Sequence, residues 1–350
     1  MQVDYLIIGQ GLAGTVFCEH VLQSGKTAIV IDDPSLSNSS KVAAGLYNPI
    51  TGRKLVKTWN CDPLFEYLTP FYQSLEEKLQ ESFLVEMPIY RPFPSMEVLN
   101  EWMGKSADST FIPYIKDIKT EPAFNEDIRN EFGGLLLKQC GYLDTGKLIK
   151  HYREYLIANG LFYGDYFDYT QLETSSNEVS YKHIQAGKAV FCDGRLVQDN
   201  PYFDWLPLRS VKGELLYIKT EAVFDVIYNK GVFVIPLSDG ICKVGATYDN
   251  KNLKEVITSE AKDELVKKLS ELVKFDFEVI DQKVGIRPAT KDRKPFVGRH
   301  PNLERMIIFN GLGAKGVSLA PFYAKQLLAH LEQGHELDKE VNIERFFSLF

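Results

Sequence analysis

VDYLIIGQGLAGTVFCEHVLQSGKTAIVIDD, residues 3–33, contains the reading on which the fold turns. An apolar strand-like segment from Val3 to Ile8 meets three glycines, Gly9, Gly11 and Gly14, and a helical pattern starts behind them. Val16, Phe17, Val21 and Leu22 recur at helical spacing, Gly25 is a stop, and Thr27 to Ile31 reads as a second strand. G-x-G-x-x-G between a strand and a helix has a physical task. Gly9 permits the tight turn, Gly11 lets backbone approach a pyrophosphate, and Gly14 lets the helix pack close to the sheet. The helix start, with Leu12 and Ala13, supplies unpaired N–H groups and the positive end of a dipole. Asp32, 18 residues after Gly14, closes the second strand where an acid holds a ribose hydroxyl, and Asp33 adjoins it. An acid there disfavours a 2′-phosphate, so the unit predicts a dinucleotide of the FAD or NAD kind.

At 350 residues the chain exceeds what one hydrophobic core usually supports, so two domains are expected. The 40 Lys+Arg against 47 Asp+Glu give a formal charge of −7, which argues against a nucleic-acid partner. Five cysteines form no CxxC pair and six histidines show no metal spacing. Reduced thiols, a cytoplasmic setting and no metal site are the expectation. The apolar start is too short for a signal peptide and lacks a basic leader. No stretch approaches bilayer length, so no membrane attachment is expected either.

Farther along, 64–82 reads as a helix and EMPIYRPFP (86–94) as proline-punctuated and irregular. A second helix follows LDTG, capped by Asp144 or Thr145, with Leu148, Ile149, Tyr152 and Leu156 on one face. KAVFCDG (188–194) reads as a buried strand. From Lys212 to Tyr248 the texture changes to alternating strands, GELLYIK, VFVIPL and ICKVGATY, with a Ser-Asp-Gly turn at 238–240 that signals a hairpin. A helix over 258–273, the apolar strand MIIFN, a glycine loop and a last helix to about Gln333 complete the chain. This order predicts an α/β plus α+β fold: a discontinuous Rossmann-like dinucleotide domain (1–82, 138–210 and 284–350) interrupted by an antiparallel-sheet domain (83–137 and 211–283).

Five further blocks occur in order: AAGLYNP (43–49), GGLLLKQCGYLDTGKL (133–148), VIPLSDGICKVGATYD (234–249), VGIRPATKDRKPFVGRHP (284–301) and NGLGAKGVSLAP (310–321). Together they resemble the D-amino-acid oxidase family of FAD-dependent amine oxidoreductases, particularly its glycine oxidase and monomeric sarcosine oxidase branches. The G-I-R-P-x-T-x-D-x-x-P-x-x-G block is the most specific part. The resemblance covers nearly the whole chain and implies FAD in place of NAD, held noncovalently because no cysteine stands near 285–287. It implies that Ser40, Ala43, Ala44, Gly45 and Leu46 lie beside the flavin ring. Phe167, Cys192, Asp193 and Gly194 would lie near adenosine and pyrophosphate. Gly311, Gly313, Ala314, Lys315, Gly316 and Val317 would cover the pyrimidine edge of the ring, with Gly285 a further cofactor contact. A glycine loop opening a helix makes independent sense at that edge, because reduction places negative charge around N1 and O2.

Amine oxidation of this kind moves a hydride from Cα–H to flavin N5 and is chiefly a positioning task. Arg287 matches the family arginine that forks onto the substrate carboxylate; its structural alternative is a salt bridge to Asp292. Lys315 matches a carboxylate-binding lysine of the sarcosine oxidase branch, or it contributes backbone only. Lys243 stands where that branch has a lysine that helps oxygen accept electrons, a position that is apolar in glycine oxidases. Arg53 is a candidate second anion anchor. Phe233 and Leu237 stand where glycine oxidases carry polar substrate contacts, so glycine itself is not implied. The expected substrate is a small amino acid or N-alkyl amino acid bearing a carboxylate, with O2 or another acceptor. The flavin half of a tRNA-wobble-uridine modification enzyme and a non-catalytic flavin-binding sensor are the alternatives. The acidic balance argues against the first and Arg287 against the second.

Overall fold

A computed structural model describes residues 1–52 and 54–350. The chain opens with β1 (Gln2–Ile8), α1 (Leu12–Gln23) and β2 (Ala28–Ile31), as the glycine motif predicts. Then come α2 (Ser39–Val42), β3 (Leu46–Tyr47), β4 (Ile50–Thr51), β5 (Val56–Lys57), α3 (Cys61–Leu79) and β6 (Leu84–Glu86). The chain crosses into a second layer with β7 (Ile89–Pro92), α4 (Met96–Lys105), β8 (Ile115–Lys119) and β9 (Gly134–Leu137). It returns through β10 (Gly141–Leu143), α5 (Thr145–Ala158), β11 (Phe162–Tyr163), β12 (Leu172–Thr174), β13 (Val179–Tyr181) and β14 (Ile184–Phe191). The second layer is completed by β15 (Val211–Lys219), β16 (Ile227–Lys230), β17 (Val232–Pro236), β18 (Ile241–Gly245), α6 (Ser259–Leu272) and β19 (Glu278–Arg287). Finally β20 (Phe296–Arg299), β21 (Met306–Asn310) and α7 (Gly316–Gln333) rejoin the first.

The first sheet runs β11-β2-β1-β14-β13-β12, with β21 also pairing β14. The pairings of β1 with β2 and β14, and of β14 with β21, are parallel. Such strands are buried on both faces and therefore read as continuous apolar runs. Tyr5 and Ile7 point to the side covered by α1 and α7, where Val16, Phe17, Ala320 and Tyr323 pack. Leu6 and Ile8 point the other way, against Ile31, Phe191, Phe203 and Ile308. Asp144 caps α5 by accepting the Lys147 amide at 2.9 Å, which decides between the two predicted caps.

The second sheet has the order β19-β15-β18-β17-β16-β7-β9-β8 and is antiparallel apart from β16 with β7. Its outer face, including Leu216, Ile218, Val234 and Val244, is covered by Leu265, Leu269 and Leu272 of α6. Its inner face turns toward the first domain. Two expectations shift here. EMPIYRPFP contains a real strand, β7, whose terminal Pro92 is tolerated at a strand end. In addition, β19 runs through residue 284 to Arg287, so the arginine block begins inside the second sheet and not in the first domain. All five cysteines are buried and unpaired. Among the described residues no helix is long and apolar enough to cross a membrane.

Candidate active site

A continuous cavity of about 910 Å³ lies between the two sheets, near the upper end of the roughly 300–1,000 Å³ usual for ligand pockets. One end is built by the glycine motif. A Cβ on Gly9 would stand 2.6 Å from the Cys192 carbonyl oxygen, and one on Gly14 would fall on the Gly9 carbonyl, so turn, helix and β14 close up only with glycine there. Asp32 ends β2 with Oδ1 accepting the Gln10 amide (3.0 Å) and Oδ2 accepting Arg153 Nη2 (2.8 Å). Burial raises the Asp32 carboxyl, and the Gln10 amide and Arg153 pull it back. Asp193 receives Tyr169 Oη (3.1 Å), Asn200 Nδ2 (2.9 Å) and Asn310 Nδ2 (2.9 Å), which ties the loop after β14 to the end of β21. Burial nevertheless pushes Asp193 up to about 6. Phe167 stacks on Tyr181 with ring centroids 4.5 Å apart at the same end. Over it, Glu255 from the loop before α6 meets Arg195 (3.2 Å) and Ser37 Oγ (3.3 Å).

The other end lies on the inner face of the second sheet. Gly213 pairs with Gly285, and Phe233 with Gly245, so three strands present bare backbone to the cavity. The Arg287 guanidinium lies in this gap: a Cβ on Gly213 would coincide with it. Nη1 donates to the Thr247 carbonyl at 3.3 Å. Asp292 takes Arg345 instead (2.9 Å), so the structural alternative for Arg287 is not realised. Burial pushes Arg287 below the usual arginine value, with Tyr248 acting weakly against it. Lys315 caps the start of α7 and lines the same end. Burial lowers it as well, opposed by the nearby Cys61 and reinforced by Arg293.

Most of the predicted residues converge on this cavity. Gly9, Gly11, Leu12, Ala13, Asp32, Asp33, Ser40 and the run Ala43, Ala44, Gly45, Leu46 line it. So do Phe167, Cys192, Asp193, Gly194, Gly285, Arg287 and the loop Gly313 to Val317. Gly14 and Gly311 pack behind it, the latter against Thr290 and Phe296. Lys243 is buried on β18 and turns its amine to the Ala43 carbonyl (3.1 Å), behind the cavity wall. Burial lowers it, and Asp144 acts in the opposite direction. Arg53 lies outside the described residues. Sequence reasoning did not pick out Arg153, Gln10, Thr247, Arg91 or the Glu255–Arg195 contact. Arg153 had one available signal, its position four residues after Ile149 on the predicted buried face of α5.

Residues 4–331 match the family described as DAO, FAD dependent oxidoreductase. The chain belongs to this family of FAD-dependent oxidoreductases. It is 27% identical to the glycine oxidase of Bacillus licheniformis over 347 residues, covering 91% of this chain and 90% of that one. It is 22% identical over 399 residues to the bifunctional tRNA 5-methylaminomethyl-2-thiouridine biosynthesis protein of Leptospira interrogans, covering 96% of this chain and 58% of that one. Alignments to the glycine oxidases of Pseudomonas aeruginosa and Bacillus subtilis span only 37% and 41% of those proteins. The solved glycine oxidase of Geobacillus kaustophilus shares the fold at a TM-score of 0.80 and 18% identity, over 99% of this chain and 98% of that one.

The cofactor of a DAO-family chain is FAD, and the cavity fits it on its own terms. The place a Gly11 Cβ would take has only Ser40 Oγ near it, at 3.4 Å, so the backbone is bare toward the cavity. The Leu12 amide of α1 donates to Ser40 Oγ (3.1 Å) and Lys315 does not cap α7 through its side chain, so later first-turn amides of α1 and those of α7 remain to face a ligand. Asp32 and the Gly313 to Val317 loop both line this cavity.

Proposed function

We propose that the chain oxidises a small amino acid or N-alkyl amino acid, with Arg287 holding the substrate carboxylate. One observation carries this reading: a buried guanidinium with no carboxylate partner among the described residues, laid on a glycine gap in the wall of the cavity. Its remaining donors match a carboxylate as a fork, a geometry lysine lacks. Bound FAD supplies the acceptor for the hydride leaving the substrate Cα–H. The chain supplies position. Arg287 orients the carboxylate, while Phe233 and Leu215 flank it and keep water away. Two cations at this end, Arg287 and Lys315, disfavour a protonated amine, and the neutral amine is the form that can give up hydride. The resulting imine hydrolyses to a keto acid or aldehyde. O2 is the proposed electron acceptor, with the buried Lys243 placing positive charge behind the Ala43 loop.

The relatives named glycine oxidase support amine oxidation. The likeness to the tRNA thiouridine protein supports a second reading, in which the amine is carried on a uridine. Anaerobic titration of the purified yellow protein tests both. The panel contains amino acids, N-alkyl amino acids, an aminomethyl-uridine nucleoside and their decarboxylated counterparts. Bleaching by amines that keep the carboxylate is expected. Bleaching by none, or equally by decarboxylated amines, overturns the reading.

A further inference from the structure

The cavity does not stop at Arg287. Past Phe233 it continues across β17 and β16 to β7, where Asn229, Lys230 and Arg91 line it. Asn229 and Arg91 lie on one row with Phe233: Phe233 pairs with Asn229, and the parallel pairing of Tyr228 with Tyr90 brings Asn229 beside Arg91. Arg91 Nη1 donates to the Ile50 carbonyl (2.9 Å) and Nη2 to the Gly52 carbonyl (3.0 Å), and its buried Nε has no partner. Burial pushes it down to about 10.

Among the described residues three guanidiniums are lowered by burial: Arg91, Arg287 and Arg345. Arg345 has Asp292 beside it. Arg91 and Arg287 have no carboxylate among the described residues, and both line this one cavity. The acids of the lining, such as Asp32, Asp193 and Glu255, are grouped at the opposite, nucleotide end, as their partners Arg153, Asn200 and Arg195 show. A guanidinium stripped of water without a counter-charge is costly to keep, and an anion arriving in the cavity relieves that cost. Two backbone carbonyls satisfy only part of a five-donor group and neutralise none of its charge. Lys230, exposed at the cavity edge beside it, adds a second positive group.

Resting on the amine-oxidising reading above, we propose that Arg91 is a second anion anchor. The substrate is then an amine whose carboxylate sits on Arg287 and whose nitrogen substituent ends in another anionic group, a carboxylate or a phosphate. The two anchors are far apart. The Arg287 guanidinium lies over β15, four strands from β7, which is roughly 19 Å at about 4.8 Å per strand before side-chain reach is subtracted. The second charge therefore belongs on a tail of many bonds, not on a group adjacent to the nitrogen.

The test uses thioether analogues in which sulfur replaces the amine nitrogen, so that they bind without being oxidised. Each carries a carboxymethyl group on one side of the sulfur. On the other side is an alkyl tail of stepwise length ending in carboxylate, phosphate or neutral carboxamide. Binding is read by calorimetry on the purified flavin-containing protein. At one best length a charged tail is expected to bind roughly tenfold or more tightly than the carboxamide, and the tighter of the two charged series identifies the source of the anion. Arg91→Gln should bring the charged-to-neutral ratio near one, and Arg91→Lys should keep part of it. Equal binding of charged and neutral tails at every length, or a ratio that survives in Arg91→Gln, overturns the proposal. If Arg91→Gln loses its flavin because the β4–β5 hairpin collapses, the length series on the unaltered protein and Arg91→Lys decide. The analogues carry no amine, so a failure of every amine to bleach the flavin would refute the oxidase reading while leaving this ratio to be judged separately.

Discussion

Gly213→Ala isolates the geometry on which substrate binding is argued. Gly213 lies in β15 with a backbone angle outside the left-handed region, so alanine brings no backbone strain. The new methyl would take the space now filled by the Arg287 guanidinium, a flexible group that can move aside without disturbing the sheet. A fork onto a carboxylate consists of two charge-assisted hydrogen bonds, each worth about 1.5–3 kcal/mol. Pushing the fork off its seat forfeits about one of them, which weakens substrate binding roughly 10- to 150-fold. Arg287→Ala forfeits both, about 3–6 kcal/mol, and sets the outer limit at roughly 150-fold to 10,000-fold or more. The assay is anaerobic flavin bleaching against substrate concentration, with flavin content and thermal midpoint as controls. Both variants should keep their flavin, because Arg287 has no carboxylate partner among the described residues to orphan. If Gly213→Ala binds substrate as tightly as the unaltered protein, the guanidinium does not grip the carboxylate from above Gly213. The specificity argument then fails with it.

Three further outcomes are expected. Burial among α1, α3 and α7 pushes His20 down to about 4, and its Nε2 meets the Pro321 carbonyl at 3.0 Å. Since the folded value lies below the unfolded one, this site's contribution is complete above pH ~6.5 and is lost as pH falls through about 4, up to about 3 kcal/mol. Urea unfolding of His20→Gln should show a correspondingly flatter decline over that window, and parallel pH profiles would contradict the burial argument. Lys243→Met should slow reoxidation by O2 about tenfold or more relative to anaerobic reduction, measured by stopped flow; unchanged reoxidation removes Lys243 from the oxygen step. Gly14→Val drives a side chain into the Gly9 carbonyl, so α1 must back away from the sheet at a cost of about 1–3 kcal/mol. Loss of yellow colour on purification is expected, and full flavin retention would show that the close approach is not needed.

Much of the nucleotide end was legible because its signals are local. A strand, a glycine turn, a helix and a closing acid follow one another within 31 residues, and backbone freedom at Gly9 and close packing at Gly14 are properties of those positions. The alternating strands after Lys212 and the cap at Asp144 were likewise written in neighbouring residues. The family blocks single out Arg287 and the loop Gly311 to Val317 as site residues, and of these Arg287 and Gly313 to Val317 line the cavity.

The partners of charged groups were decided only by tertiary structure. Asp292, five residues from Arg287, turned to Arg345 across the domain, leaving Arg287 over Gly213 with only the Thr247 carbonyl as a partner among the described residues. Lys243 faces the cavity side of its strand, yet its amine stops at the Ala43 carbonyl, 200 residues earlier in the chain. β7 was hidden in a proline-rich stretch because its pairing strands, β9 and β16, lie far along the chain, and that pairing is what brings Arg91 into the cavity row. Periodicity and turn chemistry act over a few residues and can be read from a string. A charge's environment depends on which distant strand ends up beside it, and that emerges only when the sheets have formed.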